Sequence, residues 1–194
     1  MNKEKELKEF LKNNHGYITT SELVSLNICK PCIEHYVKRG IIEKVSHGLY
    51  MDTNLIEDEY YILQRRYPDV VFSYNTALHI LNLTNRVPSK VDISVPRNKR
   101  IRGNYNVHYV SLKKYEIGII EVPTPLNNPV KVYNAERCIC DILKEKDTFD
   151  LELRNKILNY YFSSKDKNIE LLLEYAKIFN IYDKVSLIMG VMMK

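Results

Sequence analysis

The chain has 194 residues, 45% hydrophobic and 27% charged, the balance of an ordinary globular protein. That is enough chain to bury a core without metals or disulfides, as one large domain or two small ones. The formal charge of +5 and a pI of about 8.9 suit a nucleic-acid partner without requiring one.

The first residues, Met1-Asn2-Lys3-Glu4-Lys5-Glu6, have no apolar stretch behind them of the kind a secretory leader needs. The most apolar stretch, Val185 to Met193, is too short to span a bilayer and carries Ser186 and Gly190. The expectation is a cytoplasmic protein with no membrane partner.

Glu4 to Asn13 places Leu7, Phe10 and Leu11 on one helical face, and Asn14-His15-Gly16 ends it with a glycine suited to a left-handed cap. Tyr17-Ile18 is a short extended piece. Thr19-Thr20-Ser21-Glu22 predicts a capping box, Thr19 at the N-cap and Glu22 three residues into the helix. That helix runs through Leu23, Val24 and Leu26 to Asn27. Pro31 suits the first turn of a third helix, where its missing N–H costs nothing. Ile33, Tyr36 and Val37 form its apolar stripe, Cys32, Glu34, His35, Lys38 and Arg39 its other faces, and Gly40 its end. Ile41 to Val45 and Leu49 to Met51 read as a two-stranded hairpin turning at Ser46-His47-Gly48.

Three helices and a hairpin in this order predict a winged helix-turn-helix over residues 1–52, the arrangement that puts one helix into the major groove of DNA. The residues expected to face double-stranded DNA are Thr20 and Ser21 of the second helix, Lys30, Cys32, His35, Lys38 and Arg39 of the third, and Lys44, Ser46 and His47 of the hairpin. Lys30 and Lys38 suit phosphates, and His35 suits a base edge. A protein-binding helical module is the plainer alternative, because fold alone does not set function.

Residues 53–194 read as a mixed α/β domain with a helical tail, so the fold class expected for the whole chain is α+β. A helix is expected over 53–66, from Leu55, Ile56, Tyr60, Ile62 and Leu63. Strands follow at Val70 to Ser73, Val91 to Val95, Val107 to Val110, Ile117 to Val122 and Val130 to Tyr133. Val91 to Val95 alternates as a half-buried strand does. A helix from Ala77 to Leu81 follows Asn75-Thr76, and Ser73 with Thr76 reads as a strand end and cap. Asn134 can N-cap the helix carrying Ile139, Ile142 and Leu143. Asp150 to Met193 reads as helical throughout, with one helix ending at Tyr160-Tyr161-Phe162 and Leu172, Leu173, Ala176 and Phe179 spaced for packing on a sheet. Tyr60, Tyr61 and Tyr67 suit core edges, ring buried and hydroxyl wet.

Cys29 and Cys32 are spaced C-x2-C, and Cys138 and Cys140 C-x-C. Zinc ligands usually come as close pairs with short loops between them, not across about a hundred residues. Reduced thiols and no bound metal or other cofactor are expected.

An enzymatic reading finds little to stand on. No phosphate-gripping glycine-rich loop is present among the six glycines. Asp147 and Asp150 follow no Gly-Ser turn of a nucleotidyltransferase, and no Glu-x-Lys follows Pro68-Asp69 as a metal-dependent nuclease requires. His79 and His108 read as isolated, structural histidines. The chain is expected not to be an enzyme; a nuclease or other nucleic-acid enzyme targeted by the winged helix is the alternative.

Charge is concentrated. Residues 86–114 hold eight Lys or Arg against Asp92 alone, a local +7 in a total of +5, so the rest of the chain sums to −2. Arg97, Lys99, Arg100 and Arg102 form a candidate second basic surface, for phosphate or RNA; a solvated loop is the plainer reading.

Gly16 to Leu23, Tyr36 to Ile42 and Val45 to Tyr50 resemble the N-terminal domain of the AbiEi antitoxin family of type IV toxin–antitoxin and phage abortive-infection systems. The resemblance continues through Phe72-Ser73-Tyr74-Asn75-Thr76-Ala77-Leu78-His79, Val91 to Pro96, Val107-His108-Tyr109, Gly118-Ile119, Val122-Pro123-Thr124, Ala135-Glu136-Arg137-Cys138 and Asp141-Ile142. It covers about residues 15–145. The family commonly has a basic residue in the hairpin turn, where this chain has His47, and usually Pro-Ala-Arg-Thr where it has Ala135 to Cys138. The resemblance implies an antitoxin that represses its own operon at inverted repeats. Its second domain would counteract a nucleotidyltransferase toxin without a stable complex.

Overall fold

The computed structural model describes residues 3–145 and 150–192. Met1, Asn2, Asp147 and Met193, which figure in the sequence reading, lie outside them. The described residues form an α+β structure of ten helices and two sheets, and none of these helices is long and apolar enough to cross a membrane. The chain divides into two compact units. One is Met1–Pro68 with Pro123–Pro129; the other is Asp69–Val122 with Val130–Lys194. The boundary expected between 52 and 53 falls inside the first unit.

The first unit runs α1 (Lys3–Asn13), β1 (Tyr17–Thr19), α2 (Thr20–Ser25), α3 (Lys30–Lys38), β2 (Ile42–Ser46), β3 (Leu49–Asp52) and α4 (Glu59–Arg66). Its sheet has the order β1-β3-β2, both pairings antiparallel. The extended piece at Tyr17 is thus a third strand on the hairpin. Leu7, Leu11, Ile18, Leu23, Ile28, Ile33, Tyr36 and Ile42 form one core, drawn from α1, β1, α2, α3 and β2 and the link between α2 and α3. The capping box at α2 forms as the sequence implies: the Thr19 hydroxyl accepts from the Glu22 N–H, and the Glu22 carboxylate accepts from the Thr19 N–H at 2.7 Å. Pro31 sits in the first turn of α3.

Three local expectations change. The helix expected over 53–66 begins only at Glu59, and Leu55 and Ile56 are exposed. The Asp52 carboxylate accepts from the Asn54 N–H and closes a turn, and Asp58 caps α4 by accepting from the Tyr61 N–H, as short acidic side chains do. Val37 lies outside the apolar stripe of α3, at 37% exposure. Ser46 belongs to β2, so the turn is His47-Gly48 alone, with Gly48 in the left-handed region.

Asp58 does more than cap. It is 4% exposed and accepts from Thr124 Oγ1 and, at 2.8 Å, from Asn128 Nδ2, while its own N–H donates to the Tyr17 hydroxyl at 3.0 Å. The segment Pro123–Pro129 is held to the first unit through this residue.

The second unit comprises β4 (Val71–Phe72), α5 (Tyr74–Ile80), β5 (Asp92–Pro96), β6 (Asn106–Val110), α6 (Leu112–Tyr115), β7 (Ile119–Pro123), β8 (Pro129–Tyr133), α7 (Ala135–Lys144), α8 (Leu151–Ser163), α9 (Ile169–Ile178) and α10 (Tyr182–Met192). The sheet order is β6-β5-β4-β8-β7, with β4 antiparallel to β5 and parallel to β8, and β5 parallel to β6. Asn134 caps α7 as expected. β5 is buried along its whole length rather than on alternate residues. Its polar members have partners: Ser94 donates to Ser73 at 2.9 Å, and Asp92 accepts from Asn75, Asn106 and, at 3.1 Å, His108 Nε2. His108, which also stacks on Tyr74 at 3.8 Å, is therefore not isolated. Ser73 caps α5 by position only, and Thr76 Oγ1 accepts from the Asp92 N–H. The tail is three helices, interrupted after Ser163 and at Asn180, which takes a positive φ. α9 packs on α7 and α10 rather than on the sheet.

Arg137 on α7 organises this unit. Its guanidinium donates to the Lys114 and Ile117 carbonyls and to Asp141, and lies over the rings of Tyr133 at 4.0 Å and Phe179 at 4.5 Å. Planar shape and five donors let arginine do this where lysine would not.

Candidate nucleic-acid interface

α3 has nine residues, about two and a half turns, so its faces follow from the 100° step between residues. Ile33 and Tyr36 bind it to the core. The arc opposite them is centred on Pro31 and Lys38, with Glu34 and His35 on either side. Cys32 and Arg39 flank it beyond His35, and Lys30 and Val37 beyond Glu34. All of these residues are exposed. Lys30, Cys32, His35, Lys38 and Arg39 are thus brought onto one continuous outward surface. Glu34, not among the residues expected to face DNA, stands between Lys30 and Lys38 on this surface and opposes any phosphate.

Arg39 is partly committed. Its Nη1 lies 2.7 Å from Glu4, which also takes Lys8 at 2.8 Å. The hydrogen bond from Lys8, then that from Arg39, holds the Glu4 carboxyl below its ordinary range.

The hairpin turn is fixed relative to α2. The Thr20 N–H donates to the Gly48 carbonyl at 2.8 Å and its hydroxyl to the same oxygen at 3.3 Å. Gly48 has φ +70, and a Cβ there would stand 3.4 Å from Thr20 Oγ1; few side chains adopt that conformation. Thr20 therefore positions the turn as well as facing outward, and Ser21 contacts Thr19 Oγ1 at 2.9 Å. Lys44 and His47 are exposed and Ser46 half-buried. The register slips between Lys44 and Ser46, and such a bulge sharpens the twist of a hairpin.

In the second unit, Arg97, Lys99, Arg100 and Arg102 lie on the loop that joins β5 to its parallel neighbour β6. Arg97, Arg100 and Arg102 are exposed. Lys99 pairs with Asp69 at 2.7 Å, and Arg86, at the start of the basic run, pairs with Asp150 at 2.6 Å. Two acidic residues from outside the run thus offset part of its charge. Among the described residues no three His, Cys, Asp or Glu side chains stand where they could share a metal ion.

No protein-family model matches the chain, and no curated protein matches it.

Proposed function

We propose that the unit containing α1 to α4 is a winged helix-turn-helix that binds double-stranded DNA, with α3 in the major groove and the β2–β3 turn as the wing. The class is a sequence-specific DNA-binding repressor. The observation that carries the reading is α3 itself: a helix with two buried side chains, Ile33 and Tyr36, its remaining surface exposed and polar apart from Pro31 and Val37, followed by a hairpin whose turn is anchored to α2. Lys30 and Lys38 contact phosphates and His35 reads a base edge.

Within that class, the motif run over about residues 15–145 favours an AbiEi-type antitoxin. It would act on inverted repeats upstream of its own operon and counteract a nucleotidyltransferase toxin without a stable complex. Gel shift with the DNA upstream of the chain's own reading frame tests the first step. Binding that survives excess unrelated DNA and is lost in the His35→Ala, Lys38→Ala double variant supports it; equal binding to any duplex overturns it. Co-expression with the product of the neighbouring reading frame tests the second, with restored growth expected and no co-purification.

A further inference from the structure

α3 starts at two exposed thiols. Cys29 occupies its N-cap and Cys32 its third position, with Pro31 between them. In most helices a hydroxyl or carboxylate at the N-cap reaches back to the third residue. Cys29 makes no such hydrogen bond; instead its Sγ lies 2.7 Å from Cys32 Sγ. No chain movement is needed to bring the two sulfurs together.

The two thiols are not equivalent. The Cys32 thiol beside it lowers the pKa of Cys29, and the same contact raises that of Cys32. The partial positive charge of a helix N-terminus acts on the N-cap sulfur in the same sense. One sulfur is therefore the nucleophile and the other holds its proton. The second cysteine pair is the opposite case. Cys138 and Cys140 are buried in α7, and burial pushes the Cys140 thiol up to about 12 and Cys138 well above its ordinary range.

We propose that Cys29 and Cys32 form a redox-active dithiol that reacts with low-molecular-weight disulfides and closes to an intramolecular disulfide at the start of α3. The Cys29 thiolate attacks one sulfur of the small disulfide, forming a mixed disulfide and releasing one thiolate, which takes up a proton. Cys32 loses its proton and attacks Cys29 Sγ, expelling the second small thiol. Two electrons pass from the protein to the small disulfide, and one S–S bond is exchanged for another. The chemistry is independent of whether α3 binds DNA.

The test equilibrates the full-length reduced protein with reduced and oxidised glutathione at a series of ratios, followed by acid quench, alkylation and peptide mass mapping. The expected result is a loss of two hydrogens on the peptide carrying Cys29 and Cys32. It should rise with the oxidised fraction as a two-electron couple and reverse with excess reduced glutathione, while Cys138 and Cys140 stay reduced. Cys32→Ser should stop at a glutathione adduct on Cys29, and Cys29→Ser should react several-fold more slowly. Full alkylation of both thiols across the whole series overturns the proposal, as does a disulfide that links two chains.

Discussion

Glu22 accepts from Arg65 Nη2 through both carboxylate oxygens, at 2.8 and 2.7 Å, while its Oε2 also closes the capping box on Thr19. One carboxylate thus starts α2 and ties it to the last turn of α4, 43 residues further on. Burial pushes this carboxyl up, but the Thr19 N–H, Arg65 and the Thr19 hydroxyl together outweigh burial, so it rests below its ordinary 4.5. A lowered folded-state value means the stabilisation is complete above the ordinary carboxylate range and is lost as pH falls through the folded value. Glu22→Gln keeps a cap acceptor but removes the charge. It should cost about 1–2 kcal/mol at neutral pH and flatten the acid limb of the stability curve, as read by urea denaturation from pH 7 down to about pH 3.

The same contact bears on where the chain can be cut. Tyr61 and Leu63 of α4 are buried within the first unit. A fragment of 69–194 is expected to melt cooperatively. One of 55–194 should carry an unpacked α4 and bind a hydrophobic dye. Residues 1–68 alone should fold but be weaker by about 1–3 kcal/mol than the same unit in the full chain, because Asp58 loses Thr124 and Asn128. Equal stability of 1–68 and the intact unit would show that these bonds contribute nothing net.

Much of the first unit is legible in the sequence because its signals are local. The Thr19–Glu22 capping box, Pro31 in a first turn and the apolar spacing of Leu7 and Leu11 each act within one helix turn. What escapes the sequence depends on partners far along the chain. Leu55 and Ile56 look like helix core until Asp58 takes the cap, and β5 looks half-exposed until Ser73, Asn75, Asn106 and His108 arrive to satisfy Ser94 and Asp92. On α3 the outward residues follow from spacing alone, but Glu34 is easily passed over in a search for positive charge. The Cys29–Cys32 spacing was visible too; its meaning needed the cap position.

Glu34 supplies a prediction of opposite sign to its neighbours. Lys38→Ala should weaken binding to all duplexes alike and reduce the salt slope by about one, and His35→Ala should cost about 1–3 kcal/mol on operator DNA while relaxing base preference. Glu34→Gln removes a negative charge from the outward face of α3 and should tighten binding to specific and non-specific DNA together. Titrations at two salt concentrations distinguish the three. Weaker binding by Glu34→Gln would mean that the carboxylate accepts from a base instead.

In the second unit, Arg137 and Asp141 are 3% and 5% exposed at the side chain. Arg137→Leu should destabilise by about 3–5 kcal/mol, since it strands a buried carboxylate, and Arg137→Leu with Asp141→Leu should recover part of that loss. Urea midpoints of the two variants measure the difference. Gly118→Ala should be damaging as well: its φ is +80, and the added Cβ would stand 2.8 Å from both Arg137 Cβ and Asn134 Oδ1.

The loop between β5 and β6 provides the last prediction. Residues 1–52 hold eight Lys or Arg and seven Asp or Glu, a net of only +1, and binding that neutralises several phosphates calls for more positive charge than that. Arg97, Arg100 and Arg102 are its densest exposed source, whereas Lys99 is held by Asp69 and is best left in place so that the fold is not disturbed. A triple Arg→Glu variant with an unchanged circular dichroism spectrum then separates three roles. If the loop extends the DNA contact, operator affinity and its salt dependence both fall while base preference stays. If it binds the nucleic acid through which toxicity is relieved, operator binding is retained and growth protection is lost. If the variant both binds operator and protects at wild-type levels, these arginines are a solvated surface, and the phosphate contacts come from other basic residues, Lys30, Lys38 and Lys44 first among them.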